Sequence, residues 1–195
     1  DTGVGSDNGL SEPALLDTDG DRIIDAIYAG DLKGNLWKFD VSASNTNSWD
    51  SAYKSGSTPN PLFNATIGTT PQPITGAIEI GAPPSGASGY MVYFGTGKYL
   101  GNTDIISQAL LTSTAYTQTA YGILDSGTKI TTGRSALQSQ SFVYEGPRSS
   151  TDTSEIRVVS SNSVTYSSGT RGWYLDLLSP NTPSNLGERI VTSPL

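Results

Sequence analysis

Short apolar segments separated by turn residues occupy most of the chain, and long segments with helical periodicity are rare. Runs rich in aromatic and β-branched residues, bounded by Gly, Pro, Asn, Asp or Ser, are typical of β-strands. The predicted strands are Ala26–Ala29, Asn35–Val41, Ile74–Ile80, Tyr90–Phe94, Ala120–Leu124, Ser141–Tyr144, Ile156–Ser160, Val164–Ser167, Gly172–Leu177 and Glu188–Thr192. Many short strands joined by turns predict an all-β fold, either a sandwich or a propeller.

Two turns predict hairpins, and two other segments allow alternatives. Turn residues at 31–34 join the first two strands, and Ser161-Asn162 separates the strands at 156–160 and 164–167.

The segment 103–118 could form one short helix or a long irregular loop. The segment 42–64 is polar and predicted as a loop. Its aromatic residues Trp49 and Tyr53 are expected to fix it to the core, or alternatively to form a binding platform.

The most distinctive stretch is Asp17–Asp25, with the sequence DTDGDRIID. Calcium takes about 6–8 oxygen ligands, and a short loop supplies them best from alternate residues. The alternate positions here are Asp17, Asp19, Asp21, Ile23, which offers its backbone carbonyl, and Asp25. This order matches the first nine positions of the EF-hand loop. The sequence therefore predicts a Ca²⁺ site formed by these five residues.

The loop departs from the EF-hand in three ways. Its glycine is Gly20, at the fourth position, whereas Arg22 occupies the sixth, and Tyr28 stands where the EF-hand has a glutamate. The segment that follows is a predicted strand and not a helix. The alternative interpretation is a solvated acidic turn, since Asp and Gly are common in turns. Four carboxylates so close together repel one another unless a cation neutralises them, which favours calcium.

Composition excludes several classes of function. The chain has 11 Lys and Arg against 18 Asp and Glu, with no basic stripe, so nucleic acid is not an expected partner. It has no cysteine and no histidine, which excludes disulfides, thiolate metal sites and Ser-His-Asp catalysis within this chain. No apolar run is long enough to predict membrane insertion. The Ser, Thr, Gly and Asn content and a calcium loop favour an extracellular protein.

Two other patterns have simple structural explanations. The residues Gly95-Thr96-Gly97-Lys98 lack the remaining elements of a phosphate-binding loop and predict a tight turn. An aromatic residue, an apolar residue and a closing Asp recur in three strands, which end at Asp40, Asp125 and Asp176. These carboxylates are expected to form turns, and Asp125 is expected to be independent of calcium binding.

Four motifs occur in one order along the chain: GDLKGNLWKFD at 30–40, GTGKYL at 95–100, YGILD at 121–125 and GWYLDL…GERIVTSPL at 172–195. Together with the acidic loop, they resemble the C-terminal domain of the PilY1-type family of type IV pilus tip adhesins and biogenesis factors. The resemblance implies a modified β-propeller with quinoprotein-like blades. It also implies one calcium loop, which places Asp17, Asp19, Asp21, the Ile23 carbonyl and Asp25 around the ion.

The same resemblance implies a function and partners. In the family, calcium occupancy regulates pilus extension and retraction, and the full protein contributes to surface adhesion at the pilus tip or outer membrane. Pilin or minor pilin components are the expected partners, with a host-surface ligand as a further one. No Arg-Gly-Asp occurs here, so integrin binding is not expected. An enzyme is not expected, and the alternatives are a quinone-dependent dehydrogenase-like propeller or a purely structural, calcium-stabilised extracellular domain.

The length of the chain limits how much of a propeller it can form. Residues 1–195 are expected to form a single β-propeller-type domain that is a fragment, because a complete propeller has about 4–8 blades of four strands. A partial ring leaves open sheet edges, which proteins normally cover. We expect the remaining blades, from sequence outside this chain, or another chain to cover them.

Overall fold

A computed structural model of the chain describes residues 2–105, 116–181 and 186–192, and this part of the chain is all-β. Its strands are β1 Ala14–Leu16, β2 Ala26–Gly30, β3 Asn35–Asp40, β4 Asp50–Ser51, β5 Lys54–Ser55, β6 Thr58–Pro59, β7 Phe63–Asn64, β8 Thr66–Ile67, β9 Thr70–Pro71, β10 Glu79–Gly81, β11 Tyr90–Gly95, β12 Thr119–Asp125, β13 Gln138–Gln140, β14 Phe142–Pro147, β15 Glu155–Val159 and β16 Gly172–Asp176. Short 3-10 turns lie at Thr46–Ser48, Asn102–Asp104, Gly133–Ala136 and Tyr166–Ser168. Within the described ranges, no helix has the length and hydropathy needed to span a bilayer.

The first sheet is an antiparallel meander in the order β1-β2-β3-β4, with β7 also paired to β3. A four-stranded meander is the arrangement of a propeller blade. The predicted hairpin of β2 and β3 is confirmed. Asp31 stabilises its turn, because the buried carboxylate accepts hydrogen bonds from the backbone amides of Lys33 and Asn35, at 2.9 Å each, and from the indole Nε1 of Trp37.

The second sheet has the order β10-β11-β12-β16-β13. Its neighbours are antiparallel except β13 and β16, which are parallel. The core lies between the two sheets and contains buried side chains from both. Phe63 of the first sheet lies 5.4 Å from Tyr121 of the second, measured between ring centroids, and Phe94 stacks on Tyr121 at 5.1 Å. Aromatic contacts of this kind join the sheets into one packed unit.

Three predicted strand assignments are wrong. Only Glu79–Gly81, at the end of the predicted strand 74–80, is a strand. The predicted hairpin of 156–160 with 164–167 does not form, because β15 pairs with β14 and residues Tyr166–Ser168 form a 3-10 turn. The segment 188–192 is not a strand, although the amide of Ile190 donates to the carbonyl of Thr96 at 3.0 Å. In each case the apolar residues of the segment alone did not determine whether a paired strand forms.

The segment 42–64, predicted as a loop, contains the short strands β4 to β7. Trp49 and Tyr53, the two aromatic residues expected to fix the segment, behave differently. Tyr53 contacts the second sheet through its hydroxyl, as expected for a residue that fixes the segment. Trp49 remains 48% exposed, with its indole Nε1 donating to the carbonyl of Ala43. Most of the segment 103–118, for which a helix or a loop was predicted, lies outside the described residues.

Candidate metal centre

The acidic loop Asp17–Asp25 connects β1 to β2, and both of its ends are fixed by the first sheet. The amide of Asp25 donates to the carbonyl of Leu16 at 2.9 Å. The carbonyl of Asp25 accepts from the amide of Val41, directly after β3, at 2.8 Å. The loop therefore begins and ends on paired strands, which limits the positions that its side chains can take.

Three of the predicted ligands converge in the structure. Carboxylate oxygens of Asp17, Asp19 and Asp21 lie within 4.8 Å of one another. Asp19 and Asp21 are exposed and Asp17 is half-buried, so an ion can reach the group from solvent. A set of carboxylate oxygens suits a hard cation such as calcium. The chemistry of this donor set therefore fits the predicted ion.

Hydrogen bonds from the loop backbone orient these carboxylates. Asp17 accepts from the amides of Arg22, at 2.8 Å, and Gly20, at 2.7 Å. Asp21 accepts from the amide of Ile23 at 2.7 Å. The bonds from Arg22 and then Gly20 hold the pKa of Asp17 below its usual range. Asp17 is therefore ionised, as a metal ligand must be, throughout the physiological pH range.

The backbone explains why the loop keeps its shape despite the unusual position of its glycine. Gly20 has φ of 83°, and Arg22 has φ of 73°. Both values lie in the left-handed region, which glycine adopts freely and arginine adopts at a cost. The sixth position is therefore left-handed here even though it is not a glycine.

The other two predicted ligands are not part of this group of three. One carboxylate oxygen of Asp25 accepts from the amide and the hydroxyl of Thr18, at 2.8 and 2.5 Å. The side chain of Ile23 is 65% exposed, and its predicted contribution was the backbone carbonyl alone. The structure thus brings Asp17, Asp19 and Asp21 together. It places Asp25 beside them, held by Thr18.

A second polar group, which the sequence did not indicate, lies where the two sheets meet. Asp125 is only 1% exposed, and its carboxylate accepts hydrogen bonds from the hydroxyls of Tyr28 and Tyr53, at 2.6 Å each, and from Nζ of Lys38 at 2.8 Å. We call these four residues the intersheet junction. The aromatic donors lie 97 and 72 residues away in sequence, so no local signal reveals them.

The electrostatics of the junction keep Asp125 charged. Burial acts to raise the pKa of Asp125, but hydrogen bonds from Lys38, Tyr28 and Tyr53 outweigh it and the pKa lies below its usual value. Burial and the neighbouring Asp125 carboxylate raise the pKa of Tyr28 above its ordinary value, so this hydroxyl stays protonated and donates. The expectation that Asp125 simply forms a turn is therefore incomplete, although it does accept from the amide of Gly127 at 3.0 Å.

The two other strand-end carboxylates differ from Asp125. Asp40 accepts from the amide and hydroxyl of Ser42, at 3.1 and 2.7 Å, which is the predicted turn-forming role. Asp176 forms an ion pair with Arg134 at 2.8 Å. The repeated pattern of an aromatic residue, an apolar residue and Asp therefore marks three strand ends without a shared role.

The segment 95–98, predicted as a tight turn, contains the last residue of β11 followed by residues with no turn, so this prediction is wrong. Its glycines have a structural role instead. A Cβ on Gly95 would lie 2.2 Å from Cβ of Ile190, so the absence of a side chain allows Ile190 to cover this position. The amide of Gly97 donates to the carbonyl of Pro73 at 2.8 Å. Two of the motifs, GTGKYL and GERIVTSPL, thus contact each other, which explains the glycines without a bound phosphate.

Comparison with known proteins identifies related sequences. A family model described as the PilY1 beta-propeller domain matches residues 1–143. A type IV pilus biogenesis factor PilY1 homolog of Xylella fastidiosa is 40% identical over 193 residues, covering 96% of this chain and 12% of that protein. The type IV pilus biogenesis factor PilY1 of Pseudomonas aeruginosa strain PAK is 34% identical over 202 residues, covering 90% of this chain and 17% of that protein. The chain thus spans less than a fifth of either relative.

A solved structure is similar along nearly the whole chain. The crystal structure of the Pseudomonas aeruginosa PilY1 C-terminal domain matches with a TM-score of 0.78 and 32% sequence identity. The match covers 97% of this chain and 43% of that domain. The fold is therefore a β-propeller of this type, and the two five-stranded sheets, which do not close into a ring within the described residues, form part of one.

Proposed function

Because the chain belongs to the family of PilY1 β-propeller domains, we propose that it is a calcium-binding propeller module of a type IV pilus biogenesis factor. The observation that carries this proposal is the convergence of Asp17, Asp19 and Asp21 within 4.8 Å, in a loop fixed at both ends by the first sheet. The relatives named above are type IV pilus biogenesis factors, which supports a role at the pilus or cell surface.

In this proposal Asp17, Asp19 and Asp21 supply carboxylate oxygens to Ca²⁺, and Ile23 and Asp25 complete the protein ligands. Magnesium is disfavoured, because it dehydrates reluctantly and seldom occupies a site built wholly from protein ligands. Bound calcium neutralises carboxylates that otherwise repel one another at short range. The ion therefore supplies positive charge that the loop itself lacks, since Arg22 is its only cationic residue.

The proposed consequence of calcium binding is local order. Without the ion, repulsion among the carboxylates favours an open loop, whereas the ion favours the closed loop and the start of β2 at Ala26. The surface around the loop then differs between the two states. We propose that this difference controls which pilus components, pilin or minor pilin, bind the module, and so regulates pilus extension, retraction and adhesion to a host surface.

The open sheets also need partners. We propose that residues 1–195 act as one propeller-type unit, with the calcium loop at 17–25, and that further blades or another chain cover its open edges. The solved domain is longer than the region matched here, which supports cover by further blades. Unpaired strand edges otherwise favour pairing with other chains.

The experiment that tests this function uses the full-length protein of the host, restored to a strain that lacks it. Asp19→Ala removes one converging carboxylate, and Asp50→Ala, an exposed carboxylate paired with Lys54, is the matched control. We expect Asp19→Ala to change surface piliation, pilus retraction and adhesion, and Asp50→Ala to behave as the wild type. If Asp19→Ala abolishes calcium binding but leaves all three unchanged, calcium has only a structural role and the regulatory proposal is wrong.

A further inference from the structure

The structure connects the calcium loop to the second sheet through the intersheet junction. We infer that calcium binding at the loop and formation of the junction by Tyr28, Lys38, Tyr53 and Asp125 are energetically coupled, so that each strengthens the other. This inference rests on the proposed function, because it concerns what the bound ion changes elsewhere in the molecule. It replaces the expectation that Asp125 is independent of calcium.

A backbone path connects the loop to the junction. Asp25 ends the loop, Ala26 begins β2, and Tyr28 lies in the same strand three residues after Asp25. The carbonyl of Asp25 also accepts from the amide of Val41, directly after β3, the strand that carries Lys38. Tyr28 and Lys38 are direct partners in the β2–β3 register. A shift of Asp25 therefore moves the strands that carry two of the three side-chain donors to Asp125.

The loop and the junction also share a pocket. This pocket has a volume of about 290 Å³. Thr18 and Asp25 of the loop line it, together with Lys38 and Tyr53 of the junction and Gly127 beyond Asp125. Residues of the loop and of the junction thus line the same small space, so a change in the position of the loop alters the surroundings of the junction.

The junction does not tolerate partial separation. Asp125 is buried and charged, and each of its hydrogen bonds replaces contact with water. Loss of a donor leaves a buried carboxylate with fewer partners, which is strongly unfavourable. The junction therefore has a formed state and a separated state with little between them. An element of this kind can transmit a change of the loop to β12 in the second sheet.

Thermodynamic linkage turns this coupling into a measurable quantity. If calcium favours the formed junction by some factor, weakening the junction must lower calcium affinity by the corresponding factor. Tyr53→Phe removes one hydroxyl donor to Asp125 and leaves the ring in place. Tyr144→Phe is the matched control, because its hydroxyl donates to the carbonyl of Pro147 in the β14–β15 ribbon, away from the junction.

The experiment titrates calcium chloride calorimetrically into the folded, metal-free wild type and the two folded variants. We expect one site in the wild type, an affinity lower by about fivefold or more in Tyr53→Phe, and an unchanged affinity in Tyr144→Phe. Equal affinities in the wild type and Tyr53→Phe would overturn the coupling while leaving the proposed calcium site intact. An absence of calcium binding in the wild type would instead overturn the proposed function, and the coupling with it.

A second measurement needs no variant, so it holds even if Tyr53→Phe fails to fold. Amide hydrogen exchange of the wild type is measured with and without calcium. We expect calcium to slow amide exchange in β2 and also in β12, whose last residue, Asp125, is 97 residues from Tyr28 in sequence. Amide exchange in the β14–β15 ribbon should not change. Slower exchange in β2 alone would show a local effect of the ion and overturn the inference.

Discussion

The hydroxyl of Tyr28 donates a hydrogen bond of 2.6 Å to the carboxylate of Asp125, which lies 97 residues further along the chain. This bond joins β2 of the first sheet to the end of β12 in the second. Both residues are buried, and Lys38 and Tyr53 add further donors to the same carboxylate. The contact between the sheets is therefore polar at this point as well as apolar in the core.

We expect Asp125→Ala to lower the free energy of unfolding by about 2–4 kcal/mol, because it leaves two tyrosine hydroxyls and a lysine without their shared acceptor. Urea denaturation measures the change. Asp50→Ala removes an exposed carboxylate and is expected to change stability far less than Asp125→Ala does. Similar stabilities for the two variants would contradict the role assigned to Asp125.

The junction also predicts a pH dependence. The pKa of Asp125 is lower in the folded state than its ordinary value of about 3.9, which applies to the unfolded chain. The contribution of Asp125 to the free energy of unfolding is therefore complete above that ordinary value and is lost as the pH falls through the pKa of the folded state. Asp125→Asn cannot titrate at this position. The stability difference between the wild type and Asp125→Asn should therefore narrow in acid, below about pH 4. Denaturation curves of both proteins at pH 7 and in acid test this, and a constant difference would contradict it.

Gly95→Ala should destabilise the protein, because the added Cβ would lie 2.2 Å from the side chain of Ile190. Overpacking of this kind costs about 1–3 kcal/mol. Gly101→Ala is the control, since a Cβ there meets nothing within 4 Å. Thermal denaturation compares the two variants. A melting temperature for Gly95→Ala equal to that of Gly101→Ala would show that the segment around Ile190 moves away at no cost.

Arg22→Gly should raise calcium affinity for two reasons. First, it relieves the conformational strain of the left-handed backbone at φ of 73°, which costs a residue other than glycine about 1 kcal/mol. Second, it removes a positive charge from the loop, which otherwise repels the calcium ion. Arg22→Ala removes the same charge but keeps a side chain at that backbone angle. Calorimetric titration should therefore rank Arg22→Gly above Arg22→Ala. The reverse order would show that the backbone at this position is not strained.

Local chemistry explains what the sequence predicted correctly. The β2–β3 hairpin follows from turn residues at Asp31–Gly34, which act on their immediate neighbours. The convergence of Asp17, Asp19 and Asp21 likewise arises within one short loop. The donors to Asp125 could not be predicted, because they come from distant segments. The pairing of β15 with the preceding strand β14 was missed because Ser161-Asn162 also looks like a hairpin turn. A buried tyrosine hydroxyl usually has a hydrogen-bond partner, so Tyr28 and Tyr53 imply acceptors somewhere in the fold. The sequence does not show that both share the acceptor Asp125.

The central claim is that the loop Asp17–Asp25 binds one calcium ion. Calorimetric titration of calcium into metal-free protein tests it most directly, with Asp19→Ala, Asp25→Ala and a magnesium titration alongside. We predict one calcium site in the wild type, a much weaker response to magnesium, and calcium affinity lowered by about tenfold or more in both variants. No calcium binding by folded wild-type protein, or binding that Asp19→Ala leaves unchanged, would contradict the account.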